Sequence, residues 1–198
     1  RVGDFRTRAA ASAAVVLLPL QVSIGAVTVT LNGLLPQGYS PPAQGAHFVV
    51  ALTIFTALVL TTLFASAGRL ADGPLDRTRR ALPVAFAVVV AGALFGRFLP
   101  VFDYTPAAQA AFYGTSLLAF AVVVAATVWL GRAGFPSVRV LTVGALTSLF
   151  VTMLLGRDLV YYSATVRLVN LAALAVTLAL VALALYVVRR RDPRTDRR

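Results

Sequence analysis

Gly96-Arg97-Phe98-Leu99-Pro100-Val101-Phe102-Asp103-Tyr104-Thr105-Pro106 is a short polar break between two long apolar runs. It places an arginine, an aspartate and a tyrosine where the flanking sequence has mostly Ala, Val, Leu and Phe. Two other stretches read like it: Gly33-Leu34-Leu35-Pro36-Gln37-Gly38-Tyr39-Ser40-Pro41 and Gly156-Arg157-Asp158-Leu159-Val160-Tyr161-Tyr162-Ser163-Ala164. In each, a glycine is followed after a short gap by Tyr, then Ser or Thr, then Pro or Ala. The first two agree further, because Leu35-Pro36 matches Leu99-Pro100 and Pro42-Ala43-Gln44 matches Ala107-Ala108-Gln109. The recurrence is about 60 residues, the length of a helical hairpin that crosses a bilayer twice. The expected fold is therefore all-α: a polytopic integral membrane protein of six transmembrane helices, arranged as three tandem helical hairpins.

Most of the recurring motif has a local cause. Ser or Thr before Pro starts a helix, since the hydroxyl caps a free amide and proline suits the first helical position. Glycine before the loop permits a left-handed helix end. Tyrosine suits the membrane interface, with an apolar ring and a hydroxyl that seeks water. Arg97 and Arg157 are not explained in this way.

Composition sets the class. The chain has 198 residues, of which 59% are hydrophobic and 13% charged, with a mean hydropathy of +0.85. A soluble domain would have only about half its residues apolar. One membrane domain is expected: a basic cytoplasmic lead over 1–8, a six-helix transmembrane domain over 9–188, and a basic, disordered cytoplasmic tail over 189–198. The net charge of +11 would suggest nucleic acid in a soluble chain. Here the arginines lie in short loops and the tail, and no basic patch is interleaved with aromatics, so the expected surroundings are a lipid bilayer and other membrane subunits, not nucleic acid. Cysteine is absent, which excludes disulfides and thiolate chemistry. Lysine and glutamate are absent too, and all 18 basic residues are arginine. With abundant Ala, Val, Gly and Leu, this composition fits a GC-rich prokaryotic coding sequence.

The apolar runs place spans at about Ala9–Leu31, His47–Ala67, Leu82–Leu99, Ala107–Leu130, Val138–Leu155 and Val166–Val188. The first begins like a signal peptide, but its length and its place in the repeat argue for a retained span. Gly92 and Gly96 stand at GxxxG spacing, and Gly144 and Ser148 form a second small pair; both suit close helix packing. With the N-terminus inside, inner segments hold fifteen of the arginines. Outer segments hold only Arg97, Arg157 and Arg167. The positive-inside rule then puts both ends in the cytoplasm, in a prokaryotic plasma membrane.

The three outer arginines break that bias. They fall near Asp103, Asp158 and the tyrosines Tyr39, Tyr104, Tyr161 and Tyr162, with Asn170 one turn beyond Arg167. Convergence of Arg97, Asp103, Tyr104, Arg157, Asp158, Tyr162, Arg167 and Asn170 at an outer mouth would make a pocket for an anionic or polar ligand, or for a quinone head group. The structural alternative is a set of ion pairs that staple loops, with arginines reaching to water. His47 and Met153 are the single residues of their types. A His/Met haem needs both at one site, and no cofactor or metal is expected from so few ligands.

Signatures of catalysis are lacking: no HExxH, no Gly-x-Ser-x-Gly and no phosphate-binding loop occurs. Asp72 and Asp76 flank Gly73-Pro74, which breaks the helix that a metal-bound phosphotransfer pair would need. They read as turn charges beside Arg77, Arg79 and Arg80, and the same basic turn and tail suit anionic lipids. The expected function is a non-catalytic subunit or accessory component of a larger membrane complex. The alternative is a small-solute transporter, or the ligand-capturing part of one, using the outer Arg/Asp/Tyr group. A third reading is a quinone- or haem-linked redox component.

Overall fold

A computed structural model describes residues 5–36, 38, 40–68, 72–99, 101–103, 105–156 and 159–190. These form six helices and no strand: α1 (Phe5–Leu34), α2 (Pro41–Ala65), α3 (Pro74–Ala93), α4 (Pro106–Arg132), α5 (Pro136–Leu155) and α6 (Ala164–Arg190). Five of them, all but α3, are long and apolar enough to cross a membrane. The chain is a helical, multi-pass membrane protein.

Four helices open on proline, whose missing N–H and fixed φ suit the first helical position. The cap before it varies. Thr105 Oγ1 accepts from Ala108 N at 3.1 Å, as a capping hydroxyl should. Ser40 does not cap with its side chain; its backbone N–H donates instead to Asn32 Oδ1 at 2.8 Å. Ser163, with no proline after it, accepts from Val166 N. The left-handed helix ends expected at Gly33, Gly96 and Gly156 do not form. Among the described residues the positive-φ glycines are Gly38 and Gly134, and Gly156 keeps a helical φ of −71°.

The third helix departs most from expectation. It starts at Pro74, well before Leu82, because Gly73 and Pro74 begin the helix rather than merely breaking one. Its first two turns carry Arg77, Arg79 and Arg80, so only Ala81–Ala93 is apolar, about 20 Å of helix against a hydrocarbon core of about 30 Å. It then stops early. Phe95 N and Gly96 N donate to the carbonyls three residues back, Gly92 and Ala93, which tightens the chain out of α geometry. Gly92 and Gly96 therefore do not share a helical face, and the expected GxxxG pair is not formed.

Two compact units result. The first contains α1 packed on α2. Ala14, Ile54 and Ala57 form its small core, supported by Leu17 and Val50. Polar contacts add to it. Gln21 Nε2 donates to His47 Nε2 at 2.9 Å, and the Thr28 hydroxyl is shared between Ile24 O at 2.8 Å and Ala43 O at 3.3 Å. Gly25 makes room for the imidazole, since a Cβ there would lie 3.2 Å from His47 Cε1.

The second unit is a closed four-helix bundle, in which α3 packs on α4, α4 on α5, α5 on α6 and α6 back on α3. Leu82, Ala85, Val123, Ala126, Leu130 and Val181 lie in its core. A buried hydroxyl pair joins α4 to α5: the Thr127 hydroxyl is shared between Val123 O at 2.8 Å and Thr142 Oγ1 at 2.9 Å, and Thr142 Oγ1 donates to Arg139 O. Gly144 faces Leu180 of α6, and Ser148 Oγ donates to Ala173 O at 2.6 Å, so both small residues lie on the α5–α6 seam.

Candidate functional site

The turn after α3 is built around an aromatic plug. Phe98 is fully buried and Phe112 of α4 nearly so. Their rings meet edge to face at a centroid distance of 6.2 Å, the arrangement that suits aromatic quadrupoles. Each ring rests on a glycine. A Cβ at Gly96 would overlap the Phe98 ring, and a Cβ at Gly156 would come within 2.5 Å of Phe112 Cζ. The glycines that precede Arg97 and Arg157 are thus explained by close approach, not by a left-handed turn. That signal is invisible to a motif search, because nothing in the sequence says which ring each glycine will meet.

Arg167, in the first turn of α6, reaches back to this plug. Its Nε donates to the Phe98 carbonyl oxygen at 3.2 Å. The bond satisfies a carbonyl left over where α3 has ended and no helix takes it up. The rest of the Arg167 guanidinium makes no further hydrogen bond or ion pair among the described residues. Asn170 lies one turn along α6 from it. Its side chain is 0% exposed, yet neither Nδ2 nor Oδ1 has a hydrogen-bond partner. An unpaired buried amide costs about 1–3 kcal/mol for each lost partner, so Asn170 is an unsatisfied polar group near the Arg167 end of the bundle.

Asp103 stands apart from these two. It is exposed and makes no ion pair with a described arginine. It lines a shallow groove of about 440 Å³ with Phe95, Phe102, Thr105, Ala108 and Ala111. Phe95 and Phe102 stack there at 5.1 Å, with ring planes 12° apart. No described arginine lines that groove. Arg97 is half-buried in the same turn as Phe98. Tyr162 is half-buried and Tyr161 exposed; both group with the first unit, whereas Arg97, Arg167 and Asn170 belong to the second. Tyr39, Tyr104, Arg157 and Asp158 lie outside the described residues. Of the expected set, the structure brings together Arg167, the Arg97–Phe98 turn and Asn170.

The two candidate haem ligands are each held by packing. His47 is bonded to Gln21 in the first unit, and Met153 is fully buried in the second. Among the described residues no group of three or more His, Asp or Glu side chains could hold a metal ion.

At the opposite end of the bundle, Asp76 pairs with Arg79 at 3.2 Å and Asp72 with Arg80 at 2.8 Å. Both pairs are exposed enough to contribute little to stability. They orient the basic start of α3, where Arg79 also donates from Nε to Val188 O, a carbonyl in the last turn of α6. Compared with known proteins, the chain matches no family model, no curated protein and no solved structure.

Proposed function

We propose that the chain is a non-catalytic subunit or accessory component of a larger membrane complex, in the plasma membrane of a prokaryote, with both ends of the chain in the cytoplasm. One observation carries this reading: the small hydroxyl side chains set among the exposed apolar residues of the α1–α2 hairpin. Of the thirty residues of α1 only Ala14 and Thr28 are buried. Ser23 and Thr30 of α1, with Thr53 and Thr62 of α2, are exposed, each turned back onto a carbonyl of its own helix. Small hydroxyl side chains on membrane helices favour faces where another helix packs, because lipid offers them nothing. The fifteen-to-three division of arginines supports the orientation. The pairing of α1 with α2, α3 with α4 and α5 with α6 supports a tandem hairpin origin.

The test is native mass spectrometry after gentle extraction from the source membrane. Co-purifying chains in fixed ratio are expected. Paired substitutions Ser23→Leu and Thr30→Leu should release those partners while leaving the folded yield unchanged. A lone chain under the same conditions would overturn the subunit reading.

A second reading rests on Asn170. A buried amide with no partner, one turn from a cationic side chain, is what a site for a small anionic or polar solute requires before it is filled. In that reading the chain captures or carries a solute through the outer end of the bundle, with Arg167 and Asn170 at the contact. Binding of a labelled carboxylate or phosphate library, lost in Arg167→Met with folding intact, would favour it over the subunit.

A further inference from the structure

We infer that the groove between α3 and α6 at the arginine-rich end of the bundle is a binding site for an anionic phospholipid. The groove encloses about 380 Å³ and is lined by Phe86 of α3 with Ala182, Leu185, Tyr186, Arg189 and Arg190 of α6. Its two ends differ in chemistry. Phe86, Ala182 and Leu185 give an apolar wall that fits an acyl chain, and Arg189 and Arg190 close it with two guanidinium groups.

The position along the helix fits a headgroup. Twenty-two residues separate Arg167 from Arg189, about 33 Å of helix at 1.5 Å per residue. The hydrocarbon core is about 30 Å thick. With Arg167 at one interface, Arg189 and Arg190 reach the phosphate level at the other. Tyr186, one turn before Arg190 and half exposed, is the residue type that settles at that boundary.

The charges are available. Arg79 and Arg80 are offset by Asp76 and Asp72. Arg189 has no ion-pair or hydrogen-bond partner among the described residues. Arg190 lies with its Cζ 4.5 Å from the centre of the Tyr186 ring, a cation–π contact that holds it over the groove without neutralising it. The carbonyl end of α6 repels an anion, so the phosphate must be held by side chains. Arg79, by donating to Val188 O, offsets part of that repulsion. An uncharged headgroup would leave both guanidinium groups unmatched, and a free phosphate would leave the apolar wall bare.

The full chain, purified and delipidated, would be placed in nanodiscs of phosphatidylcholine containing a minor fraction of phosphatidylglycerol. Retained lipid is then read by native mass spectrometry. Wild type is expected to retain phosphatidylglycerol at least tenfold over its share in the disc. Arg189→Gln with Arg190→Gln should bring retention down to that share, and Phe86→Ala should weaken it severalfold. Arg132→Gln, which removes a charge at the same end but outside the groove, should leave retention unchanged. The remaining tail arginines are present in every variant, so general attraction is held constant. Retention of phosphatidylcholine equal to its share in wild type and variants alike would overturn the proposal. So would an equal loss in Arg132→Gln, which would mean diffuse attraction. Full displacement by millimolar inorganic phosphate would overturn it in favour of a soluble anion.

Discussion

Arg167 Nε donates to the Phe98 carbonyl oxygen at 3.2 Å, tying the first turn of α6 to the turn that ends α3. Phe98 in turn holds Phe112, and Phe112 sits against Gly156 just after α5. The hydrogen bond and these two ring contacts together link the ends of the four helices of the second unit. The charge is not what the carbonyl requires, only the donor. Arg167→Met should lower stability by about 1 kcal/mol, discounted because the side chain is exposed. Arg167→Lys should recover little of it, since an ammonium lacks the planar Nε–H that makes this bond. Thermal unfolding in a single detergent measures both. Equal stability in all three proteins would mean the bond is not formed in the membrane protein.

Asn170 reverses the usual sense of a core substitution. Its amide is buried and unpaired, so Asn170→Leu removes a desolvation cost and adds apolar contact. The expected effect is a gain of about 1–3 kcal/mol in stability. A loss of that size would show that water or a bound solute satisfies the amide. Bound solute is then separated from water by whether the wild-type melting temperature falls on exhaustive dialysis.

Gly156 and Gly33 occupy matching places in the recurring motif, and the structure predicts opposite results for them. A Cβ at Gly156 would come within 2.5 Å of Phe112 Cζ and 2.7 Å of Thr152 O, and Phe112 is too buried to move away. Gly156→Ala should destabilise by about 1–3 kcal/mol through overpacking. A Cβ at Gly33 meets nothing within 4 Å. Because Gly33 lies inside α1, Gly33→Ala should stabilise by about 0.5–1 kcal/mol. The pair of melting curves checks both directions at once.

That contrast shows what the sequence carries and what it does not. Helix number and order are legible because charged and polar breaks punctuate a hydrophobic chain at bilayer spacing, and Thr105-Pro106 starts its helix as its chemistry dictates. The limits of α3 are not legible. Leu82–Leu99 is continuously apolar apart from Arg97, and hydropathy does not register that Gly96 must approach the Phe98 ring and so leave the helix. The same holds for the site. Arg167 and Asn170 are found by their oddness in an apolar run. The separation of Asp103 from them, and its place beside the Phe95–Phe102 stack, depends on turn geometry that residue spacing does not encode.

The Gln21–His47 contact is a side-chain link between α1 and α2, at 2.9 Å, and it is incompletely satisfied, since Gln21 Oε1 is buried with no partner. Such a pair responds differently to single and double substitution. His47→Leu leaves the whole Gln21 amide unpaired and should cost about 1–3 kcal/mol. Gln21→Leu leaves the imidazole without its donor and should cost a similar amount. The double variant removes both polar groups, and replacing both partners with apolar groups of similar shape is close to neutral. The expected coupling between the two positions is therefore on the order of 1–2 kcal/mol, read from unfolding of the full chain. Strictly additive losses would mean that each side chain has its own partner outside the hairpin. The proposed complex supplies a candidate for that partner, so the same cycle repeated on the co-purified assembly should show weaker coupling than on the isolated chain.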